Sequence, residues 1–313
     1  ATGDSKYVDV YERALYNGVL RGVSLSGDKF FYDNPLESMG QHERQKWFGC
    51  ACCPGNVTRF MASVPQYQYA SQGSDIFVNL YIQGKGNVDG TELLQHTDYP
   101  WNGNVKITVN PKKNTKFNIR LRIPSWAKSR PVATNLYNFA DSAKQYVVKV
   151  NGTKIQAYTV DGYAVVNKKW KKGDVVEVHF DMIPRIVKAN PKVEADHGRV
   201  AVERGPIVYC AEWPDNRFNV HSILLNQHPQ FKVTDKPELL YGIRQITTDA
   251  QALSYDKAGK LVTKDVELTL IPYYAWAHRG EGDMEVWLPI DVSATSAQPQ
   301  EAGQWEDNGF FKN

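Results

Sequence analysis

The chain has 313 residues, of which 42% are hydrophobic and 23% are charged, a composition typical of folded globular domains. A chain of this length can bury a sizeable core and predicts two or three domains. Its 37 basic and 34 acidic residues give a formal charge of +3, which is too balanced to indicate a nucleic-acid partner. The sequence contains no apolar run long enough to predict a membrane-spanning helix.

The first seventy residues predict two helices. Apolar side chains recur with the helical period between Tyr7 and Leu15. A second helix is predicted from Pro54 to Val64, and Pro65 would end it. Because two helices cannot bury their own apolar faces, we expect them to close a larger α domain that begins before this chain.

From Asp75 onward the hydrophobic period changes from that of a helix to that of a strand. A turn is expected at residues 112–114 between two alternating segments. Asn151 and Gly152 directly follow an apolar strand pattern, and this pair predicts a type I′ hairpin. Short strands at regular spacing without intervening helices are typical of β-sandwiches. The last dozen residues are expected to form a tail.

Three of the four cysteines lie close together, at Cys50, Cys52 and Cys53. Such a cluster places several sulfurs around one small volume, which suits a metal, a reactive thiolate or a redox pair. Two other interpretations stay open at this point: small buried residues in a tight turn, and a reversible disulfide between Cys52 and Cys53. Cys210 lies in an apolar run and is predicted to be a core residue.

Taken together, six stretches resemble the β-L-arabinofuranosidases of glycoside hydrolase family 127. In chain order they are YVDVYERALYNGVL, KFFYDNPLES, WFGCACCPGNVTRFMAS, LRIPSWA, GRVAVERGPIVYCAEW and PYYAWAHRGEGDMEVWLP. They are spread over nearly the whole chain, and the cysteine block and YYAWAHRG are the most specific. The resemblance implies a multidomain α+β protein, in which an (α/α)6 barrel is followed by two jelly-roll-like β-sandwiches.

The resemblance also implies a chemistry: hydrolysis of an arabinofuranosyl bond with retention, by a cysteine nucleophile that is bound to zinc. Cys52 would match the nucleophile and a zinc ligand, and Cys53 a second zinc ligand. Glu12 and Tyr32 would match residues at the sugar subsite. A free thiol has a pKa of about 8.5 and is mostly protonated at neutral pH, and zinc binding removes that proton. The implied partner is an arabinose-containing oligosaccharide or glycan.

Part of the family's pattern is not found in this sequence. Its other two zinc ligands and its acid/base glutamate precede the helix that begins near Tyr7. We therefore expect this chain by itself to bind zinc weakly and to be inactive, and the intact protein to be the glycosidase. The expected division is residues 1–70 for the end of the barrel, 71–185 for the first β-sandwich and 186–313 for the second, with the last strands able to return to the first.

A different class of protein is also compatible with the sequence: a non-catalytic carbohydrate-binding β-sandwich protein with structural cysteines. Without the resemblance, Glu12 would be interpreted as a solvent-facing charge or as the partner of the neighbours of Arg13, and Tyr32 as a core aromatic. A possible sugar-stacking platform consists of Tyr273, Tyr274, Trp276 and His278. Alternating aromatics on a strand pattern nevertheless favour a place in the core. The protein is expected to be soluble, in the cytoplasm or exported, and oligomers formed through the β domains stay open.

Overall fold

The structure is a computed structural model that describes residues 2–128, 130–142, 146–256, 258–295 and 300–301. The expected C-terminal tail, residues 302–313, lies outside the described residues. The chain folds into two compact units. The first unit consists of Ala1–Ala14, Thr58–Asn135 and Asp141–Ile183. The second unit consists of Leu15–Val57, Leu136–Ala140 and Pro184–Asn313.

Both predicted helices are present. Helix α1 is Lys6–Arg13, and it continues as a π-helical segment, Ala14–Val19, and a 3-10 turn, Leu20–Gly22. Helix α2 is Cys52–Ser63, followed by the 3-10 turn Val64–Tyr67. It begins two residues before Pro54, because the first N–H groups of a helix have no intrahelical partner and proline is tolerated there. None of the described helices has the length and apolar character needed to cross a membrane.

Further 3-10 turns are Ser125–Ala127, Glu194–Asp196, Trp213–Asp215, Val220–Ser222, Tyr273–Ala275 and Val292–Ala294. The strands of the first half are β1 (Glu37–Met39), β2 (Tyr69–Gln72), β3 (Asp75–Val78), β4 (Gly84–Val88), β5 (Thr91–Thr97), β6 (Asn104–Pro111), β7 (Thr115–Arg122), β8 (Tyr137–Phe139), β9 (Val147–Val150), β10 (Thr153–Ile155), β11 (Tyr158–Val160) and β12 (Tyr163–Trp170). Those of the second half are β13 (Asp174–His179), β14 (Pro184–Ala189), β15 (Arg199–Arg204), β16 (Ile207–Glu212), β17 (Ile223–Leu225), β18 (Lys232–Lys236), β19 (Ile243–Tyr255), β20 (Leu261–Pro272), β21 (Asp283–Glu285), β22 (Leu288–Pro289) and β23 (Gln300–Glu301).

The first unit contains two sheets. One has six strands in the order β10-β9-β13-β6-β5-β4, and the other has five in the order β11-β12-β7-β3-β2. Strand β6 alternates exposed and buried side chains, with Val105, Ile107 and Val109 each at most 1% exposed. Such alternation indicates one face packed on a core and one face toward solvent.

In the first unit, the sequence predicted the β9–β10 turn correctly but not the pairing of β6 and β7. Asn151 has φ of 49° and Gly152 has φ of 80°, so both central residues of the β9–β10 hairpin have the positive φ that a type I′ turn requires. The expected turn at residues 112–114 does not join paired strands. It leads from β6 in the six-stranded sheet to β7 in the five-stranded sheet.

The second unit is built on one hydrogen-bonded sheet of twelve strands. Its main path is β17-β19-β20-β16-β15-β14-β8, and β1, β18, β21, β22 and β23 pair with members of that path or with each other. Strands β19 and β20 pair along ten residues. Cys210 is fully buried, Trp276 is 1% exposed and Tyr273 is 4% exposed, which confirms their predicted places in the core.

The described structure is therefore rich in strands with few helices, as the sequence predicted, and consistent with β-sandwich parts. The first seventy residues are divided between the two units, after Ala14 and after Val57. The expected division into one helical and two β domains stays a prediction.

Candidate active site

Cys52 and Cys53 are the first two residues of helix α2. Their sulfur atoms lie 3.7 Å apart, and neither forms a disulfide. Cys52 is exposed, Cys53 is half-buried, and Cys50, just before the helix, is exposed. Helix α2 therefore begins with one exposed and one half-buried sulfur that lie side by side.

The separation of the two sulfurs can be compared with the geometry of a zinc site. Two thiolates that each lie about 2.3 Å from a tetrahedral ion are about 3.8 Å apart. The observed 3.7 Å fits this geometry without movement of the backbone. Within the described ranges, no third Cys, His, Asp or Glu joins these two sulfurs in a group that could hold a metal ion.

Tyr32 lies beside the cysteine segment. Its ring meets that of Phe48 edge to face, with centroids 5.8 Å apart, and Phe48 precedes Cys52 by four residues. Tyr32 is 57% exposed, so its interpretation as a core aromatic is wrong. An accessible aromatic ring with a hydroxyl can both stack on a sugar and hydrogen-bond to it.

Buried arginines hold the segment that carries Tyr32. Arg44 is 4% exposed and donates hydrogen bonds to the carbonyl oxygens of Arg21 and Trp276, at 2.9–3.0 Å. Its guanidinium lies 4.4 Å from the ring centroid of Phe31, which in turn stacks on Trp276. Burial, together with the nearby Arg21 charge, lowers the pKa of Arg44 to about 9. These contacts fix the residue that directly precedes Tyr32.

Glu12 lies in the first unit, whereas the cysteines and Tyr32 lie in the second. It is 2% exposed, so its interpretation as a solvent-facing charge is wrong. Its carboxylate forms an ion pair with Arg122, accepts a hydrogen bond of 2.7 Å from the Tyr99 hydroxyl and accepts one of 3.3 Å from the Trp126 indole. Both carboxylate oxygens are therefore engaged inside this unit. A role for Glu12 at a sugar subsite stays a prediction.

Sequence reasoning missed these partners of Glu12. Arg122 and Trp126 belong to the stretch LRIPSWA, which contributed to the family resemblance but received no site role. A buried ion pair across more than one hundred residues leaves no periodic signal. Sequence reasoning also missed a cluster in the second unit, Glu37, His221 and Glu285, whose ligand atoms lie within 4.8 Å of one another.

Comparison with known protein families identifies the class of this chain. Three family models match it in chain order: the catalytic domain of the family 127 β-L-arabinofuranosidases over residues 1–66, the middle domain of the same family over residues 75–182, and the glycoside hydrolase family 127 C-terminal domain over residues 184–289. The chain therefore belongs to glycoside hydrolase family 127.

Individual relatives agree with this assignment. A non-reducing end β-L-arabinofuranosidase from Bifidobacterium longum subsp. longum is 33% identical over 90% of this chain and 45% of its own length. A solved β-arabinofuranosidase of family 127 is 68% identical, with a TM-score of 0.91 over 95% of this chain and 48% of its own. A β-L-arabinofuranosidase of the same family from Geobacillus stearothermophilus T6 is 38% identical, with a TM-score of 0.82 over 91% of this chain and 46% of its own. The chain thus spans about half the length of the relatives that it matches.

Proposed function

We propose that this chain forms part of a retaining glycoside hydrolase that releases L-arabinofuranose from an arabinose-containing oligosaccharide or glycan. The observation that carries the proposal is the pair of accessible sulfurs at the start of helix α2, 3.7 Å apart. Membership of family 127 and the printed activities of the relatives support the choice of sugar. The helices of residues 1–70 would complete an (α/α)6 barrel with the part of the relatives that this chain does not span.

Cys52 is the nucleophile in this proposal. Its sulfur forms a bond to the anomeric carbon while the bond from that carbon to the leaving oxygen breaks, and the leaving oxygen takes a proton from a carboxylic acid outside this chain. Water then attacks the same carbon and gives a proton to the carboxylate that the first step left behind. The bond from sulfur to carbon breaks, which releases the Cys52 thiolate. Two inversions at one carbon give net retention. The exposed position of Cys52 allows the sugar to reach its sulfur.

Cys52 and Cys53 would hold a zinc ion. Bound zinc would keep a coordinating thiol deprotonated and would also lower the reactivity of the thiolate. The nucleophile needs a balance between these two effects, a high thiolate fraction and sufficient reactivity. Cys53 is half-buried and would act as a ligand only, since its sulfur is less accessible than that of Cys52. The other two ligands would come from the part of the relatives that lies beyond this chain.

Tyr32 would contact the sugar directly, because it is exposed and lies beside the cysteine segment. Glu12 would act at the sugar subsite as well, with its orientation set by Arg122 and Tyr99. Variants of Tyr32 and of Glu12 are expected to differ in KM and in stability. Loss of Tyr32 should raise KM with little effect on folding, whereas loss of Glu12 should also reduce stability.

The test uses the intact protein, a mechanism-based arabinofuranosyl reagent and peptide mass spectrometry. We expect one covalent adduct per chain on Cys52, no adduct in Cys52→Ala, and loss of turnover of an aryl β-L-arabinofuranoside in that variant. Cys50→Ala is the matched control, because Cys50 is also exposed and lies two residues away. That variant should keep both the adduct and the turnover.

Elemental analysis of the same preparations tests the metal. We expect about one zinc per intact chain with sulfur at about 2.3 Å in X-ray absorption, and loss of this zinc in Cys53→Ala. Turnover that survives Cys52→Ala would refute the nucleophile. Sugar binding that persists in Cys52→Ala, from a protein with no turnover and no zinc, would instead identify a carbohydrate-binding protein with structural cysteines.

A further inference from the structure

The second unit contains a group of three side chains that could hold a metal ion and that does not include the cysteines. Glu37 on β1 and Glu285 on β21 are directly opposite each other in the antiparallel ladder that joins the two strands. His221, in the 3-10 turn Val220–Ser222, completes the group. Like charges directly opposite on neighbouring strands are destabilising. Arg199 forms an ion pair with Glu285 and compensates one of these charges, and a cation between the two carboxylates would compensate the other.

The distances within the group leave room for an ion. The His221 Nδ1 atom lies 3.6 Å from Glu37 Oε1 and 3.7 Å from Glu285 Oε2, which is too long for a hydrogen bond to either. His221 and Glu285 are both fully buried, and neither Nδ1 nor Oε2 has a hydrogen-bond partner. Buried polar atoms without partners cost free energy and are uncommon in folded proteins. Two such atoms point toward the same small volume.

Neighbouring groups orient these ligands. The Nε2 atom of His221 lies 2.9 Å from the carbonyl oxygen of Ser38, which can only accept, so Nε2 carries the proton. When Nδ1 is deprotonated, the His221 ring presents the lone pair of this atom to the two carboxylates. Arg199 donates to the Oε1 atom of Glu285 and leaves Oε2 free. A backbone acceptor on the second ring nitrogen and a hydrogen bond to the ligating carboxylate are typical of the groups that surround protein metal ligands.

We propose that Glu37, His221 and Glu285 bind a divalent cation, with zinc the best fit. Nitrogen and oxygen ligands at about 2.0–2.1 Å from a tetrahedral zinc are about 3.3–3.4 Å apart, close to the observed 3.6 and 3.7 Å. The Glu37 side chain is 45% exposed, which gives an ion a route from solvent and leaves the fourth position to water.

A cation at this position would connect three segments that are distant in sequence: β1, the turn at His221 and β21. Strand β1 begins five residues after Tyr32, so the ion would stabilise the end of the segment that carries Tyr32. The proposal does not depend on the cysteines or on the proposed catalytic chemistry. Its ligands are nitrogen and oxygen only, which makes it distinguishable from a thiolate site by spectroscopy.

The experiment measures zinc binding to the intact protein carrying Cys52→Ala and Cys53→Ala, which removes both sulfur ligands. After chelator treatment, we expect one equivalent of zinc to bind, with only nitrogen and oxygen at about 2.0–2.1 Å in X-ray absorption. His221→Ala and Glu37→Gln should each weaken binding by at least 10- to 100-fold, the loss typical even of outer-shell partners. Glu43→Gln, an exposed carboxylate in the same segment, is the matched control and should bind as before.

Glu37→Gln is expected to fold normally, because Glu37 is exposed and glutamine keeps the shape of the side chain. Weaker binding in this variant can therefore be assigned to the lost ligand. Thermal unfolding with and without zinc gives a second measurement. Zinc should raise the Tm of the Cys52→Ala, Cys53→Ala protein and should raise it less when Glu37→Gln is added. The proposal is overturned if the Cys52→Ala, Cys53→Ala protein binds no zinc, if binding is unchanged in both ligand variants, or if zinc leaves the Tm unaltered.

Discussion

Replacement of Glu12 by glutamine tests whether this carboxylate holds the first unit together. Its ion-pair partner Arg122 is fully buried, and the Arg122 guanidinium also contacts Asp9 at 2.8 Å. Glutamine keeps the shape of the side chain and one acceptor oxygen but removes the charge. Tyr99 and Trp126 donate to different oxygens of Glu12, so glutamine keeps an acceptor for one of them, and Arg122 keeps only Asp9 as a charged partner.

The size of the effect follows from burial. Loss of one partner from a buried ion pair costs about 3–5 kcal/mol, because the other charge is left uncompensated in a low dielectric. Since Asp9 still pairs with Arg122, we expect a smaller loss, about 2–4 kcal/mol in the free energy of unfolding. A loss of about 3 kcal/mol corresponds to a change of more than 100-fold in the equilibrium constant.

Hydrogen exchange followed by mass spectrometry is the appropriate assay, since it reports on each unit separately. Slow amides in β6, β7 and β12 of the first unit should exchange on the order of 100-fold faster in Glu12→Gln. Amides of β19 and β20 belong to the second unit and serve as an internal reference. Glu92→Gln is the matched control, because Glu92 forms an ion pair with an exposed lysine in the same unit, and it should change exchange little.

Arg122→Met with Glu12→Gln completes a double-mutant cycle. If the two residues form one buried pair, the double variant should be less destabilised than the sum of the single variants. Exchange in Glu12→Gln that matches the unaltered protein within about threefold would refute the structural role. A change in KM alone would then leave Glu12 as a sugar contact only.

Two further predictions concern stability. Burial, with the neighbouring Arg44 charge, lowers the pKa of His278 from 6.5 to about 4, so the unfolded chain binds the proton more tightly than the folded one. This contribution is present above pH 6.5 and is lost as the pH falls toward 4, by up to about 3 kcal/mol. Urea midpoints at pH 7 and 4.5 should therefore differ less in His278→Gln than in His228→Gln, an exposed control. Gly103→Ala should destabilise by about 1–3 kcal/mol in urea unfolding, since its Cβ would lie 1.8 Å from the Phe180 carbonyl oxygen.

The outcomes that contradict these two predictions are distinct. An equal acid-induced loss in His278→Gln and His228→Gln would show that His278 is protonated equally in the folded and unfolded protein. Gly18→Ala is the control for Gly103→Ala, because nothing lies within 4 Å of its Cβ and its φ is not positive. Equal stability of the two alanine variants would contradict the close approach of Phe180.

Local properties of this protein followed from its sequence. Helix α1, helix α2 and the β9–β10 hairpin were predicted because periodicity, proline position and the Asn151-Gly152 pair act over a few residues. The closeness of the Cys52 and Cys53 sulfurs also follows from adjacency, although only the structure places them at the first turn of a helix. The membership of family 127 was likewise expected from the order of six short stretches.

Only the tertiary structure decided which distant groups meet. Alternation predicts that a segment is a strand and which face is buried, but not its sheet, so the assignment of β6 and β7 to different sheets had no local signal. For the same reason, nothing in the sequence indicated the buried partner of Glu12, Arg122, which lies 110 residues away along the chain. Glu37, His221 and Glu285 come together because β1 pairs with β21 in a register that local sequence does not encode. The free energy of burying a charged side chain depends on its ion-pair partner, and the tertiary fold determines which residue that partner is.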